Sequence, residues 1–440
     1  MQLSIQQGEG LIRYITAELS SEDIEPEVEK RLKNLTRTAH LKGFRPGKVP
    51  YKIIHERYAT QVHNEIFNEQ IENIVNNVIE EQKWRLVATP VVNKETKQND
   101  GKTIYSFVAV CEIFPNITLN SLDSYTVTRY TAQITDADVE EMIENFRYQR
   151  RTWTVVDRPA QLGDKVLISM HIGEGADKLL KQIEKVPIIL GNGTVLKELE
   201  IALIGTTIGE TKTAQLPLTD KENANQTMTV CNMTIHEIAE PVLPEYNANF
   251  IKSFDIPSGD INDLRRDVRK NMEASLIGYI RNNIKWQLMN VLLKAHQITL
   301  PNILIEFEKE SLKADVNKDK QRNNIPDTWI EQQAKRKVAL RLIIGEIMRQ
   351  HSITLDAGRV QTTIQTIASG YEDPETIFKY YRDPENLKAI QNLVLEDQTM
   401  DWILTQVQVK EELSTFQKIT QLSMDNIESS GILLSAYPHD

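Results

Sequence analysis

One stretch of the chain combines many basic side chains with an aromatic residue at a turn. Between Lys30 and Arg57 lie nine lysines and arginines and a single acid, Glu56, which leaves a net charge of +8. Residues 43–50 read Gly-Phe-Arg-Pro-Gly-Lys-Val-Pro, and glycine and proline, which disfavour helices, occupy four of these eight positions. Such a run is often only a solvated surface. Cations around an exposed aromatic ring also suit a surface that offers phosphates and an apolar cleft, such as structured RNA with its bound protein.

Two helices are needed to hold this turn in place. Apolar residues recur at helical spacing on both sides of it, and Pro26 and Pro50 suit the start of each helix. The apolar positions are Val28, Leu32, Leu35 and Ala39 before the turn, and Ile54, Tyr58 and Val62 after it. The pattern predicts a helical hairpin that ends at Gly43, with Phe44 at its exposed apex.

The turn resembles the ribosome-docking signature of the bacterial trigger factor family. The members of this family are chaperones at the polypeptide exit tunnel. The resemblance implies that Phe44, Arg45 and Lys48 contact the exit-site protein of the large ribosomal subunit and the adjacent rRNA. It further implies that Pro46 and Gly47 fix the turn. The ribosome-binding residues implied in this way are Gly43, Phe44, Arg45, Pro46, Gly47, Lys48 and Pro50.

Composition restricts the class of protein. A chain of 440 residues predicts two to four domains, and its net charge of −11 argues against a free RNA-binding protein. Two cysteines, Cys111 and Cys231, are too few for a disulfide scaffold or a four-thiolate zinc site. No apolar run approaches the ~18 residues of a membrane span. The amino terminus lacks the pattern of a signal peptide. We therefore expect a cytoplasmic protein with no membrane partner.

The sequence predicts a multidomain α+β protein with four successive parts. They are an α+β domain over residues 1–115, a linker with a helix over 116–151, a β-rich domain over 152–240 and an all-helical domain over 241–440. The resemblance implies that the first is a ribosome-binding domain and the last a substrate-binding domain with arms. In the first domain, strands are expected at residues 11–19, 84–92 and 103–114, with a long helix over 64–82 and a turn over 94–102. Helices are expected to begin near residues 260, 302, 327, 374 and 384.

The β-rich part contains a spaced series of glycine turns. Gly191 and Gly193 precede Val195 and Leu196, and Leu199-Glu200 and a Gly-x-x-x-Gly-Glu turn from Gly205 follow. This series resembles the prolyl isomerase domain of the FKBP type. The resemblance makes Val195, Leu196 and Leu199 the candidate catalytic pocket. The family uses an aromatic-walled cup, whereas residues 154–245 contain no Phe, Tyr or Trp.

The resemblance extends over essentially the whole chain, and it implies a function. The expected protein is an ATP-independent, ribosome-associated chaperone that shields nascent and unfolded polypeptides in an apolar cradle. An active prolyl isomerase recruited to nascent chains is the alternative. No phosphate-binding loop and no metal-ligand spacing occur in the sequence, so we expect no cofactor and no metal. The family also implies that free molecules can form a homodimer.

Overall fold

The computed structural model describes residues 2–41, 44, 48–99, 102–173, 179–193, 195–219, 226–318, 325–371 and 373–430. The chain forms two compact units, each assembled from segments that are separate in the sequence. The first unit comprises Met1–Thr131, Ile280–Leu413 and Gln421–Asp440, and the second comprises Ala132–Tyr279 and Ser414–Thr420. Both units combine helices with strands, so the predicted multidomain α+β class is confirmed. Each unit draws on more than one of the four predicted domains, and those domain bounds stay predictions.

The helices and strands have the following bounds. The strands are β1 (Gln2–Gln7), β2 (Ile12–Ser20), β3 (Val91–Asn99), β4 (Lys102–Glu112), β5 (Thr126–Thr131), β6 (Thr152–Val155), β7 (Lys165–Gly173), β8 (Leu179–Ile189), β9 (Thr211–Thr219), β10 (Gln226–Val242) and β11 (Gln408–Leu413). The helices are α1 (Ser21–Thr38), α2 (Tyr51–Gln82), α3 (Asp136–Gln149), α4 (Lys197–Leu203), α5 (Ala248–Lys252), α6 (Ile261–Ala295), α7 (Asn302–Lys318), α8 (Asp327–Gln350), α9 (Ala357–Ala368), α10 (Pro374–Tyr380), α11 (Pro384–Leu404) and α12 (Phe416–Ser430).

The first unit opens with an antiparallel sheet that packs against α1 and α2. Its strand order is β1-β2-β4-β3. Along β2 the side chains of Ile15, Ala17 and Leu19 are buried at every second position, as expected for a strand with one face on a core. They share that core with Leu32 of α1 and Ile54 of α2. The predicted helical hairpin is therefore fixed to the sheet by the apolar stripe of each helix.

Four local predictions for this region are wrong. Helix α1 begins at Ser21, so Pro26 lies inside the helix and not at its start. The helix after Pro50 and the helix over residues 64–82 are one continuous helix, α2, because no helix-breaking residue interrupts its buried stripe. The strand expected over 84–92 begins only at Val91, and Leu86 forms an isolated bridge with Ile113. The turn expected over 94–102 is shorter, since β3 continues to Asn99 in register with β4.

The helical part of the first unit contains a strand that the sequence did not reveal. The chain was expected to be helical from residue 241 to its end, but β11 pairs in parallel with β5, 282 residues away in the sequence. The predicted helix starts at Pro374 and Pro384 are confirmed. The carboxylates of Asp373 and Asp383 accept hydrogen bonds from the N–H groups two residues ahead, at 3.1 and 2.8 Å.

A five-stranded antiparallel sheet dominates the second unit. The order is β6-β10-β7-β8, and β9 pairs with the other end of the long strand β10. Helix α4 lies against β9 and supplies Leu199 and Leu203 to a core that includes Ile168, Met233 and Ile235. Aliphatic and sulphur-containing side chains fill this core without any aromatic ring, as the composition of residues 154–245 requires.

The glycine turn before α4 depends on the absence of a side chain at Gly191. Its φ is +85°, in the left-handed region that favours glycine. A Cβ at this position would lie 2.8 Å from the side chain of Leu162. Because Leu162 is exposed and can move away, it is the backbone conformation that requires glycine in this turn.

Candidate functional site

Helix α1 begins at a capping box that orders the base of the hairpin. The backbone N–H and the hydroxyl group of Ser20 both donate to the carboxylate of Asp23 at 2.9 Å. These hydrogen bonds lower the pKa of Asp23, and the bond from the backbone N–H has the larger effect. Beyond the cap, Val28 and Leu32 are buried, so one face of α1 is held on the core up to the approach to the loop.

The loop between α1 and α2 is anchored by aliphatic side chains at both of its ends. Leu41 and Val49 are buried in the core of the first unit. Between them, the side chain of Phe44 is 40% exposed, and its N–H donates to the carbonyl of Leu41 at 3.0 Å. The aromatic ring is therefore presented outward, because the aliphatic neighbours occupy the core in its place.

The basic residues of the hairpin fall into two groups. Those in the middle of α1 are partly neutralised by acids of the same or the adjacent helix. These pairs are Lys30–Glu27 at 3.0 Å, Arg31–Glu69 at 3.8 Å and Lys33–Glu29 at 3.0 Å. Four cations at the loop end form no ion pair with any residue that the structure describes. They are Arg37, Lys48, Lys52 and Arg57. The free positive charge is thus concentrated beside Phe44 and does not spread along the whole basic run.

The start of α2 strengthens the positive potential of the loop end. Its N-cap residue is Pro50, which has no side-chain cap to offer, and its first turn contains no acid. The first N–H groups of a helix carry partial positive charge and attract anions. Together with Lys48 and Lys52 they form a surface suited to phosphate groups.

Three of the predicted ribosome-binding residues can be located. Phe44, Lys48 and Pro50 are all exposed. The other four lie outside the described residues, and the turn that they were predicted to form stays a prediction. They are Gly43, Arg45, Pro46 and Gly47.

Tyr51 is a surface aromatic residue that the sequence reading missed. Helical spacing puts it on the same face as Ile54 and Tyr58, a pattern that indicates burial. As the first residue of α2 it is instead exposed, with its ring centroid 5.9 Å from that of His55. The loop end therefore carries two exposed aromatic rings, Phe44 and Tyr51.

The three residues of the candidate isomerase pocket differ in their surroundings. Leu199 is buried in the core of the second unit, and Val195 is half-buried at the edge of the same core. Leu196 is the N-cap of α4 and is exposed. An isomerase pocket needs apolar side chains that face a bound proline, whereas Leu199 fills the core. A catalytic role for these residues stays a prediction.

The histidines of the second unit lie on the outer face of its sheet. His171 and His236 are exposed, and Nε2 of His236 lies 2.8 Å from Oγ of Ser169 on the neighbouring strand. The backbone N–H of Lys185 donates to the same oxygen at 3.2 Å. These contacts connect β10, β7 and β8. Within the described part of the chain, no group of three His, Cys, Asp or Glu residues is arranged to hold a metal ion.

A cleft of about 470 Å³, lined by both apolar and polar side chains, occurs in the second unit. Phe254 is central to it: its ring lies 5.3 Å from that of Phe146, and the guanidinium of Arg150 stacks on it at 3.8 Å. Further lining residues are Met142, Met272, Tyr279 and Phe416. Methionine and aromatic side chains adapt to ligands of varied shape, so the cleft suits an apolar side chain of a partner. The sequence reading missed it, because its lining comes from four separate segments.

Helix α7 of the first unit has an apolar surface one turn long. Ile303 and Phe307 are exposed, Phe307 to 66%. Ile305 and Leu312 of the same helix are buried against α8. Since the core uses the opposite face, the exposed pair is free to contact another molecule.

Comparison with known proteins identifies the family. Residues 1–146 match the family model "Bacterial trigger factor protein (TF)", and residues 260–405 match the model of its C-terminus. The trigger factor of Xanthomonas axonopodis pv. citri (strain 306) is 35% identical over 433 residues, which cover 95% of this chain and 99% of that protein. That of Thioalkalivibrio sulfidiphilus (strain HL-EbGR7) is 33% identical and covers 95% and 98%.

A solved structure is also similar, at 13% identity and a TM-score of 0.44, covering 92% of this chain and 99% of that chain. Its description reads "Promiscuous Substrate Recognition in Folding and Assembly Activities of the Trigger Factor Chaperone".

The family models and the sequence relatives define the class and then the family. The chain is a multidomain molecular chaperone with a basic helical hairpin near its amino terminus. It belongs to the trigger factor family, whose members are ribosome-associated and act on nascent chains. The expectation drawn from the turn at Phe44 is thereby confirmed at the level of the family. No helix among the described residues is long and apolar enough to cross a membrane.

Proposed function

We propose that the loop end of the helical hairpin docks this chaperone on the large ribosomal subunit at the exit of the polypeptide tunnel. The observation that carries the proposal is the exposure of Phe44 among four cations that have no partner within the described residues. The cations and the start of α2 contact rRNA phosphates, and Phe44 and Tyr51 enter an apolar cleft of the exit-site protein. Arg45 and the turn residues Pro46 and Gly47 complete this contact.

Docking at the tunnel places the chaperone where nascent polypeptides emerge unfolded. An unfolded chain exposes apolar side chains, which need cover until they are buried by folding. The surface at Ile303 and Phe307 and the cleft around Phe254 supply such cover. Weak, dispersed apolar contacts are reversible, so this mode of holding a client needs neither ATP nor a cofactor. We place the protein in the cytoplasm, and we infer that free molecules form a homodimer.

Prolyl isomerisation is the alternative main function. The second unit supports it through its sheet and its glycine turns, which resemble the FKBP type. Two features argue against prolyl isomerase activity: residues 154–245 have no aromatic side chain, and Leu199 is part of the core. Uncatalysed isomerisation takes tens to hundreds of seconds, so a proline-limited refolding reaction reports even weak catalysis. We expect no acceleration by the intact chain, while aggregation of the same substrate is suppressed.

Co-sedimentation with ribosomes tests the docking surface. The variant Lys48→Glu/Lys52→Glu reverses two unpaired charges, and Lys30→Glu/Lys33→Glu makes the same change in net charge at two paired lysines. We expect the first variant to lose most of its ribosome binding and the second to retain it. Binding of the unsubstituted chain should also weaken steeply with salt, because phosphate contacts release counterions. Equal losses in the two variants would show that net charge, not this surface, governs the association.

Substitution of the aromatic residue provides a second test. Phe44→Ala removes an exposed ring, so the fold should be unaffected while ribosome binding falls. His40→Ala, at another exposed loop position, is the matched control. Unchanged co-sedimentation of the Phe44 variant would contradict the proposed apolar contact.

A further inference from the structure

The small sheet formed by β5 and β11 has two edges, and among the described residues the backbone groups of only one edge are hydrogen-bonded to another element. The strands are parallel, with Val409 opposite Val127 and Glu411 opposite Arg129. A two-stranded sheet leaves one row of backbone N–H and C=O groups unpaired along each edge. Such rows are covered by another element, protected by charge, or used to bind an extended chain.

The edge of β5 is covered by the side chain of Gln287 from α6. Its Oε1 accepts the N–H of Thr128 at 2.8 Å, and its Nε2 donates to the carbonyl of Thr128 at 2.8 Å. The same Nε2 donates to Oδ1 of Asn283 at 2.7 Å, which fixes the amide in this orientation. A glutamine thus replaces the peptide group of a third strand on this side.

The edge of β11 is open. The N–H of Gln408 donates to the carbonyl of Tyr125 at 2.9 Å, so alternate residues from Gln408 direct their backbone groups toward β5. Those of Val409, Glu411 and Leu413 point the other way. No other described residue forms a hydrogen bond with these outward groups. All residues of β11 except Glu412 are exposed.

The side chains along this edge are partly apolar. Val127, on the inner strand, is fully buried, its neighbour Val409 is 39% exposed, and Leu413 is 81% exposed. Paired residues of adjacent strands lie on the same face of a sheet. A strand added outside β11 would therefore continue the buried row that begins at Val127, and it would cover Val409 and Leu413.

The charged residues Lys410 and Glu412 lie on the opposite face of β11 from Val409 and Leu413, so any protection by charge falls mainly on that other face. The carboxylate of Glu411 lies 3.7 Å from the guanidinium of Arg129 on the inner strand, and Glu412 also has an interaction partner. Glu411 and Glu412 each have an interaction partner, whereas Lys410 forms no ion pair with a described residue.

We propose that the β11 edge binds an extended segment of an unfolded client by strand addition. The occupant is a client polypeptide, because main-chain hydrogen bonds do not depend on side-chain identity and every non-proline residue can supply them. Its preferred segment has an apolar residue at every second position, to cover Val409 and Leu413, and no proline at its pairing positions. This inference rests on the chaperone function proposed above and specifies one way in which a client is held.

A probe peptide can test the main-chain contacts directly. The probe is a fluorescent octapeptide of alternating valine and threonine, and its partner is the same peptide with every second amide N-methylated. Methylation removes the donors of one edge and keeps the side chains. Binding to the full chain is measured by fluorescence anisotropy. Loss of two main-chain hydrogen bonds should weaken binding about tenfold or more, at about 1 kcal/mol for each bond.

Two variants at one position test the protein side. Glu411→Pro removes an outward N–H without touching the ladder to β5, and proline is tolerated at strand edges. Glu411→Ala keeps the N–H but loses the same carboxylate. We expect about fivefold weaker peptide binding for the proline variant and near-normal binding for the alanine variant. Peptide binding should also protect the amides of residues 409–413 from hydrogen exchange.

Several results would overturn the inference. Equal binding of the plain and N-methylated peptides would exclude strand addition even if Glu411→Pro failed to fold. A dimer that Glu411→Pro dissociates would assign the edge to a second copy of the chain. Suppression of client aggregation is measured in parallel. If the unsubstituted chain suppresses aggregation while the peptide tests fail, the edge inference falls and the chaperone proposal stands. Failure to suppress aggregation would instead count against the proposed function itself.

Discussion

Glu112, the last residue of β4, accepts hydrogen bonds from the N–H groups of Asn302 at 2.6 Å and Ile303 at 2.9 Å. Its buried carboxylate therefore caps α7 from a position 190 residues away in the sequence. The sequence predicted a helix start near residue 302, and Asn302 is the first residue of α7. A carboxylate at a helix start gains from the free N–H groups and from the helix dipole.

Glu112→Gln should lower the free energy of unfolding of the first unit by about 1–2 kcal/mol, since a charged acceptor of two N–H groups becomes neutral. Urea denaturation followed by circular dichroism measures the loss. Glu18→Gln is the matched control, because Glu18 is an exposed carboxylate on the neighbouring strand β2. Equal effects of the two substitutions would contradict the capping role.

A buried ion pair should make Asp164 important for the stability of the second unit. Its carboxylate is 2% exposed and accepts both ends of the Arg158 guanidinium, at 2.7 and 3.1 Å, and the N–H of Gln161 at 2.8 Å. Hydrogen bonds to Asp164 and to the exposed Glu240 raise the pKa of Arg158, and that to Asp164 has the larger effect. Breaking a buried pair typically costs about 3–5 kcal/mol, and an exposed pair under about 1 kcal/mol.

Asp164→Asn should accordingly destabilise the second unit by about 2–4 kcal/mol, and Glu240→Gln by under about 1 kcal/mol. Trp153 is the one tryptophan in that unit's sequence, so its fluorescence in a background without the other four reports unfolding. If the two substitutions lowered the free energy of unfolding equally, burial of the Asp164 carboxylate would not explain its contribution to stability.

A small pH dependence should arise from the contact between Tyr246 and Glu144. The phenol donates to the carboxylate, and Arg147 lies 2.8 Å from the same group. The Tyr246 hydrogen bond lowers the pKa of Glu144, while burial, followed by the Glu144 carboxylate, raises the pKa of Tyr246. The contribution of Glu144 is therefore complete above its unfolded pKa of about 4.3 and is lost as pH falls. That of Tyr246 is complete below about pH 10 and is lost as pH rises.

Tyr246→Phe tests this dependence. Both groups are more than one-third exposed, so solvent screening limits the effect to a few tenths of a kcal/mol. The difference in unfolding free energy between the unsubstituted chain and the variant should be largest near neutral pH. It should shrink below about pH 4 and above about pH 10. A difference that does not change with pH would mean that ionisation plays no part in the contact.

The two cysteines should report the opening of one unit each. Cys111 belongs to the first unit and Cys231 to the second, both are fully buried, and burial raises the pKa of each thiol. Since the thiolate is the reactive form, neither should react with a thiol reagent in the native state at pH 7.5. Two thiols per chain should react in denaturant. Rapid native labelling of either cysteine, isolated by replacing the other with alanine, would contradict the burial.

Local sequence chemistry was enough to predict the hairpin, because each of its signals lies within a few residues. The apolar stripe of α1, the proline before α2 and the breakers after Ala39 act on their own segment of chain. The separate helix over residues 64–82 was an error of the same local reasoning, since no breaker follows Val62. The resemblance of the turn to the trigger factor family then indicated the class of function before any contact was known.

Contacts between distant segments could not be predicted in this way. The pairing of β11 with β5 cannot be predicted from the periodicity of either segment. An isolated pair of short strands has no distinctive residue pattern in the sequence. The cleft around Phe254 and the capping of α7 by Glu112 likewise join segments that are far apart along the chain. Only the folded backbone determines which polar group meets which helix start.

The sequence by itself determined the basic turn with Phe44, the glycine turns before α4, the helix starts at Pro374 and Pro384, and the absence of aromatic rings over residues 154–245. The tertiary structure decided which of these features are available to a partner. Acids on α1 and α2 neutralise the lysines and the arginine farther from the loop, and Leu41 and Val49 take the core positions that Phe44 leaves. Burial and pairing depend on neighbours in space, and the fold alone brings those neighbours together.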